Sequence, residues 1–160
     1  MSNSGSLVLG FHHPGIVVPD LDRAIEFYTA FLGYETHSES SWGVDHSGFN
    51  QIVGLDRSAA RFCMLKGPNS YIEIFEYSEP EPENNAGARN ANELGIRHLA
   101  FVVADVQAAL DLCVKLGGTK MNEPLSVPGG ATAVYCRDPF GNLFELVEPG
   151  GRFPPLITTN

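Results

Sequence analysis

Two histidines and two glutamates recur at equivalent places in two similar stretches of this chain. His13 begins the first stretch and His98 begins the second, each followed by an alternating run of apolar residues. Glu73 and Glu145 each lie between apolar residues near the end of their stretch. Imidazole nitrogen and carboxylate oxygen are suitable donors for Zn, Ni, Co, Mn or Fe(II). The repetition therefore predicts one divalent metal site with four protein ligands.

The adjacent residues His12 and His13 cannot point to the same face of a strand, because side chains alternate along it. His13 shares its face with Gly15, and His98 shares its face with Ala100. These small residues leave room beside each imidazole, whereas the bulkier residues of opposite parity suit packing against a helix. We therefore pair His13 with His98 and leave His12 out of the ligand set.

The same alternation separates the glutamates into two kinds. Glu73 and Glu145 are flanked on both sides by apolar residues, so their side chains point away from the helix-packed face and toward the histidines. Glu76 and Glu148 have the opposite parity and come at the ends of their strands. For these two we expect solvent-exposed positions.

A site of this kind can polarise a carbonyl, stabilise an enolate or lower the pKa of bound water to about 7. A glutamate that detaches from the metal can act as a general base. The chemistry open to an enzyme with such a site includes proton transfer through an enolate or enediolate of an oxygen-bearing carbonyl substrate, with Glu73 or Glu145 moving the proton. The alternative is that the repeat preserves the fold alone and that the four residues are ordinary strand residues.

The two copies differ in length between the helix and the last strand. The histidines are 85 positions apart and the glutamates are 72 positions apart, so the first copy carries 13 additional residues. These residues fall near positions 42–55 and include Trp42 and His46. Because a long loop on a repeated scaffold is a natural place for substrate contacts, we expect both side chains to bind substrate.

Four residues outside this insert are further candidates for substrate contacts. Tyr71 shares the face of Glu73, and Tyr135 lies on the penultimate strand of its copy; we expect both to line the substrate pocket, although Tyr71 also suits a core position. Arg61 and Arg137 lie on the penultimate strands as well and could orient an anionic or carbonyl substrate. Solvent-exposed positions are nevertheless favoured for both arginines.

Each copy is predicted to form a strand, a helix and three further strands, and the fold class is α+β. Residues 11–19 alternate and are β-branched, which favours the first strand. Asp20 and Asp105 are suitable helix N-caps, and apolar residues at helical spacing follow each of them. Gly33 is expected to end the first helix. Turn-forming residues predict that the last two strands of each copy are hairpins.

The predicted organisation has five parts. They are an N-terminal lead-in (1–10), a first βαβββ module (11–78), a linker (79–92), a second βαβββ module (93–149) and a C-terminal tail (150–160).

Composition excludes several classes of protein. The net charge of −9 and the pI near 4.9 argue against nucleic-acid binding. No apolar run approaches a membrane span, and the N-terminus lacks the features of a signal peptide. The three cysteines, Cys63, Cys113 and Cys136, are odd in number and widely spaced, which fits reduced thiols in a cytoplasmic protein. Cys136 has no histidine–acid partner indicated by the sequence, so we expect a buried structural thiol.

These modules resemble the vicinal oxygen chelate superfamily, which includes glyoxalase I, methylmalonyl-CoA epimerase, fosfomycin-resistance enzymes, extradiol dioxygenases and bleomycin-resistance proteins. The segments that carry the resemblance are 13–21, 24–33, 71–77 and 138–146. The resemblance implies two modules that form an open, cupped mixed β-sheet around a central metal site, often within a homodimer. It also assigns the ligand role to His13, Glu73, His98 and Glu145.

A His-Glu-His-Glu set in one two-module chain resembles glyoxalase I most, with the epimerases close to it. Glyoxalase I usually carries an asparagine after its first glutamate strand that helps to hold glutathione, and residues 74–77 contain none. The resemblance thus implies a metal-dependent lyase or isomerase acting on a small molecule, with the substrate open. The alternatives are an iron-dependent extradiol ring-cleaving dioxygenase and a metal-free binding protein of the bleomycin-resistance type.

Overall fold

The computed structural model describes residues 7–83, 89–148 and 150. Most of the predicted lead-in, the middle of the predicted linker and nearly all of the predicted tail therefore lie outside the described residues. The predicted domain boundaries remain predictions. Within the described residues, no helix combines the length and the apolar character needed to cross a membrane.

The first module forms a four-stranded sheet covered by a helix. Its elements are β1 (Gly15–Val17), α1 (Leu21–Leu32), β2 (Glu35–Trp42), α2 (Ser47–Val53), β3 (Ala59–Lys66) and β4 (Tyr71–Glu79). The strand order is β1-β4-β3-β2, with β1 parallel to β4 and the other pairs antiparallel. The additional residues of this module form the short helix α2 rather than the long loop expected from the sequence.

The second module repeats this arrangement without a counterpart of α2 and with four short strands after its helix, one more than the sequence predicts. Its elements are β5 (His98–Val102), α3 (Val106–Lys115), β6 (Thr119–Lys120), β7 (Leu125–Ser126), β8 (Thr132–Arg137) and β9 (Leu143–Glu148). The strand order is β5-β9-β8-β6, and β7 also pairs with β8. The predicted α+β class and the hairpins at the end of each module are confirmed.

The ends of the helices follow from local sequence. The side chain of Asp20 accepts a hydrogen bond from Arg23 N at 3.0 Å, and Asp105 accepts one from Ala108 N at 2.9 Å. Gly33 ends α1 with a φ of 67°, a left-handed conformation that glycine adopts without strain. These predicted caps are confirmed.

The first strand is shorter than predicted, with β1 covering three residues of the expected 11–19. Pairing with β4 continues on one side, since Tyr71 N donates to His12 O at 3.2 Å and Glu73 N donates to Pro14 O at 3.0 Å. Pro14 has no N–H to donate in return, so the ladder between the two strands is incomplete there.

The two modules pack against each other through their helices. Helix α1 contacts α3, and buried residues of both modules form one hydrophobic core. Across this interface Phe31 lies 5.4 Å from Phe144 between ring centroids, and the buried hydroxyl of Tyr28 donates to Asp138 Oδ2 at 2.8 Å. Burial and the neighbouring carboxylate raise the pKa of Tyr28 well above its ordinary value, so the hydroxyl stays protonated and keeps this hydrogen bond.

The three cysteines are free and buried, as expected. Burial raises the pKa of Cys63 to about 11. A hydrogen bond with Cys113, together with burial, also raises the pKa of Cys136. The protonated thiol of Cys136 is a poor nucleophile, which agrees with a structural role.

Candidate metal centre

The first His–Glu pair lies where β1 meets β4. Gly15 lies opposite Glu73 in the parallel register, so His13 precedes that position by two residues on the same face. His13 Nε2 is 3.0 Å from Glu73 Oε2, and the two side chains are 31% and 20% exposed. The pair is therefore partly sheltered and still accessible to a ligand.

The second pair repeats this geometry between β5 and β9. Ala100 lies opposite Glu145 in the parallel register, in the same relation that Gly15 has to Glu73. His98 Nε2 is 3.4 Å from Glu145 Oε2, and the side chains are 35% and 25% exposed. The sequence repeat thus produces two equivalent half-sites.

The structure does not bring the two pairs together within the chain. Among residues 7–83, 89–148 and 150, no group of three or more His, Cys, Asp or Glu side chains could hold one metal ion. The reason is the packing of the modules through α1 and α3. Ile74 and Leu146, which neighbour the two glutamates, are fully buried in the shared core, so Glu73 and Glu145 lie on faces turned away from it.

The spacing within each pair nevertheless fits a shared metal ion. Two ligand atoms bound at about 2.1 Å lie about 3.0 Å apart at a right angle and about 3.4 Å apart at a tetrahedral angle. These are the separations of the His13–Glu73 and His98–Glu145 pairs. Each pair would therefore supply one nitrogen and one oxygen to a first-row divalent metal.

His12, which strand parity excludes from the ligand set, supports the first pair instead. Its Nδ1 contacts Nδ1 of His13, and its ring stacks on Tyr71 with centroids 5.0 Å apart. Tyr71 in turn makes an edge contact with His37 at 5.6 Å. The predicted substrate residue Tyr71 thus lies beside the first half-site, and His12 orients the His13 ring through the nitrogen that does not face Glu73.

An aromatic wall covers the same sheet face as Glu73. It consists of Trp42, Phe49, Phe62, Phe75 and Tyr77, with neighbouring ring centroids 4.6–6.1 Å apart. Burial and the Glu73 carboxylate raise the pKa of Tyr77. The wall provides an apolar surface next to the first half-site.

The insert residues have structural contacts in the described chain. Trp42 is 6% exposed, and its indole N–H donates to Ser58 Oγ at 2.9 Å. His46 is the N-cap of α2, where its Nδ1 accepts from Phe49 N at 3.2 Å. Trp42 therefore belongs to the aromatic wall, whereas His46 holds the helix that places Phe49 on it. Their predicted contacts with substrate remain predictions.

Tyr135 lies beside the second half-site. It is opposite Glu145 in the register of β8 and β9, and its hydroxyl is 3.5 Å from both ring nitrogens of His98. Burial and the Glu145 carboxylate raise the pKa of Tyr135, so its hydroxyl is a hydrogen-bond donor at neutral pH.

The expectation of exposed positions for Glu76 and Glu148 is wrong. Glu76 Oε2 accepts from Leu21 N at 2.8 Å, and Glu148 Oε2 accepts from Val106 N at 3.1 Å. Both carboxylates therefore satisfy the first N–H group of a helix, where negative charge is also favoured by the helix dipole. The repeat conserves this structural function alongside the half-sites.

Replacing either carboxylate should weaken the protein at the start of its helix. We expect Glu76→Ala and Glu148→Ala each to lower the free energy of unfolding by about 1 kcal/mol, because one helix N–H loses its acceptor. Urea denaturation followed by circular dichroism measures this change. The exposed Glu81→Ala is the matched control, and an equal effect of all three substitutions would contradict the assigned function.

The two arginine candidates differ. Arg61 is directed toward α1, where its Nη2 lies 2.6 Å from Asp22 Oδ1 in an exposed ion pair, so it does not face the half-sites. Arg137 is only 9% exposed, which makes the expectation of an exposed side chain wrong for this residue. Its guanidinium donates to two main-chain carbonyl oxygens, which make burial possible.

Comparison with known proteins agrees with this architecture. A family model described as the Glyoxalase/Bleomycin resistance protein/Dioxygenase superfamily matches residues 10–146. The chain is 34% identical to a 2-epi-5-epi-valiolone epimerase from an Actinomyces species, over 88% of this chain and 80% of that protein. It is 30% identical to a probable chloroplastic lactoylglutathione lyase from Arabidopsis thaliana, over 87% of this chain but only 35% of that protein.

A solved structure has the same fold over most of the chain. A glyoxalase family protein from Bacillus cereus superposes with a TM-score of 0.82 at 23% identity, over 92% of this chain and 99% of that one. At this identity the match concerns the fold alone. Together with the family model and the epimerase relative, the two repeated modules show that this chain belongs to the Glyoxalase/Bleomycin resistance protein/Dioxygenase superfamily.

Proposed function

We propose that this protein is a metal-dependent isomerase or lyase that transfers a proton at the carbon next to a carbonyl group. The observation that carries the proposal is the pair of equivalent half-sites, each with the spacing of two ligands of one ion. In a homodimer, His13 and Glu73 of one chain would combine with His98 and Glu145 of the other chain. Two such composite sites would form in each dimer.

Exposed apolar residues beside the half-sites support this assembly. Val17 is 46% exposed and Val102 is 55% exposed, and they occupy equivalent positions on the faces that carry Glu73 and Glu145. Apolar side chains on both faces favour covering by another protein surface. In the proposed dimer, the first module of one chain would join its face to that of the second module of the other chain. This contact would bury Val17 and Val102 and bring the two His–Glu pairs together.

The residues of the site suit proton transfer. A divalent metal ion, when bound, supplies positive charge that polarises a carbonyl and stabilises negative charge developing on its oxygen. Glu73 or Glu145 would remove the proton from the neighbouring carbon through a carboxylate oxygen and return it to the substrate. Tyr135 would donate a hydrogen bond to a substrate oxygen, and the aromatic wall would exclude water.

Two substrate classes follow from the relatives. The match to an epimerase covers most of that protein and favours proton transfer on a substrate that carries no glutathione. The absence of an asparagine in residues 74–77 supports the same choice. The second candidate is a lactoylglutathione lyase activity, supported by the plant relative. Proton–deuterium exchange on 2-hydroxycarbonyl compounds tests the epimerase-type activity, and turnover of a glutathione hemithioacetal tests the lactoylglutathione lyase activity.

Three buried free thiols support a cytoplasmic setting.

Replacing Glu73 or Glu145 with glutamine tests the proposal directly. We expect each variant to retain less metal than the wild type after reloading and dialysis, as measured by elemental analysis. Proton exchange should fall at least about 100-fold, because an amide is a poor base. The exposed Glu81→Gln variant should match the wild type in both measurements. Wild-type metal content and exchange in both site variants would refute the assignment.

A further inference from the structure

A cavity of about 440 Å³ lies at the junction of the two modules, near the start of β5. This volume is within the range of small-molecule sites. Three arginines line it, Arg89, Arg97 and Arg137, and His98 of the second half-site lies at its border. In a chain with a net charge of −9, this concentration of guanidinium groups is unusual.

Arg137 carries a buried charge without an acidic partner among the described residues. Its Nη1 donates to Gly141 O at 2.8 Å and its Nη2 donates to Arg89 O at 2.9 Å. Both acceptors are neutral carbonyl groups. They satisfy two of the five guanidinium donors and fix the plane of the group, but they supply no compensating negative charge.

The neighbouring carboxylate of Asp138 is already engaged by other donors. It accepts hydrogen bonds from the Tyr28 hydroxyl, from Phe140 N, and from both Asn142 N and the Asn142 side-chain amide. Four short contacts hold this carboxylate within the turn after β8. It therefore stabilises the turn and does not form an ion pair with Arg137.

Arg97 presents a second incompletely paired guanidinium to the cavity. Its Nε is buried and has no hydrogen-bond partner among the described residues. A buried N–H without an acceptor is costly unless a ligand or water provides one. Glu83 is the only carboxylate among the described lining residues, so the three positive guanidinium groups outnumber the negatively charged groups.

Much of the remaining lining is apolar. Ile16, Leu99 and Phe101 border the cavity, and Ile16 also belongs to the core between the modules. A bare phosphate ion would contact only the arginines and leave this surface uncovered. A ligand with a charged head and an apolar body would use both parts of the cavity.

We propose that this cavity binds a small organic anion, with its carboxylate or phosphate on Arg97 and Arg137 and its apolar part against Ile16, Leu99 and Phe101. Guanidinium groups bind planar carboxylates and phosphates through paired hydrogen bonds, which suits two arginines with free donors. The site does not depend on the metal-dependent activity proposed above. His98 of the second half-site is among the described lining residues, whereas Glu145 is not.

Isothermal titration with phenyl phosphate and benzoate, at constant ionic strength, tests this proposal. We expect saturable binding of at least one anion to the wild type and weaker binding of inorganic phosphate, which lacks the apolar body. Arg97→Met should weaken the affinity about tenfold or more, because a charged pair of donors is lost. Arg137→Lys should also weaken it, since lysine keeps the charge but not the planar geometry.

The controls separate this site from general charge effects and from the metal centre. Arg57→Met removes an exposed arginine outside the cavity lining and should keep wild-type affinity. Glu145→Gln should also retain anion binding, because the proposed contacts do not include the metal. Equal binding of the neutral benzyl alcohol, loss of binding in Glu145→Gln, or unchanged affinity in Arg97→Met would each overturn the proposal. So would the absence of saturable anion binding to the wild type.

Discussion

Mixing two inactive variants should restore about a quarter of wild-type activity, if each metal centre is shared between two chains. The first variant, His13→Ala with Glu73→Gln, lacks the half-site of its first module. The second, His98→Ala with Glu145→Gln, lacks the other half-site. Random pairing makes half of the dimers mixed, and each mixed dimer has one centre with all four donors and one with none.

The physical basis is the distance between the half-sites in one chain. The described residues of a single chain form no group of three metal-binding side chains. Each variant also retains only one half-site, so a complete set of four donors requires two chains. The experiment requires co-expression or exchange of subunits, followed by measurement of proton exchange and of metal per chain. Both values should rise together in the mixture.

A centre built within one chain predicts a different result. Every chain in the mixture would then carry one damaged half-site, and mixing would restore neither metal nor activity. A chain that carries all four substitutions, mixed with either variant, is the control for non-specific metal uptake. It should remain inactive because no dimer then contains an undamaged centre.

Removing the Asp138 carboxylate should cause the largest loss of stability among single substitutions considered for this chain. We expect Asp138→Ala to lower the free energy of unfolding by about 2–4 kcal/mol. The buried carboxylate accepts four hydrogen bonds, and its loss leaves the Tyr28 hydroxyl and two main-chain N–H groups without an acceptor. One of these bonds joins the two modules. Urea denaturation measures the change.

A double-mutant cycle with Tyr28→Phe isolates the contribution between the modules. Tyr28→Phe alone should cost about 1 kcal/mol, and the two substitutions together should cost less than their sum, because they remove the same hydrogen bond. Asp111→Ala, on the exposed side of α3, should change stability by less than about 0.5 kcal/mol. Strict additivity of the Tyr28 and Asp138 substitutions would contradict a coupled contact.

Features that depend on a few neighbouring residues could be predicted from the sequence. Asp20 and Asp105 cap their helices through N–H groups three positions away, so the interaction is local in the chain. Strand alternation placed His13 rather than His12 against Glu73, because the two faces of a strand are distinguished by parity alone. Because the second copy has the same pattern, the same argument applies to His98 and Glu145.

Features that depend on distant segments could not be predicted in this way. Glu76 reaches a helix N–H 55 positions away, and Glu148 reaches one 42 positions away. Arg137 is buried because the carbonyl of Arg89, 48 positions distant, accepts from its guanidinium. Local spacing in the sequence does not reveal any of these three partners. The sequence alone therefore favours surface positions for both glutamates and for Arg137.

The sequence by itself determined the two βαβββ modules, their caps and the residues of each half-site, since parity, caps and turns act over a few positions. Only the tertiary structure decided that the modules join through α1 and α3, with Tyr28 bonded to Asp138. That packing buries the helical faces together and turns the faces with Glu73 and Glu145 outward. The residues of each half-site do not decide whether the two half-sites meet within one chain, because that depends on which apolar surfaces of whole modules are buried against each other.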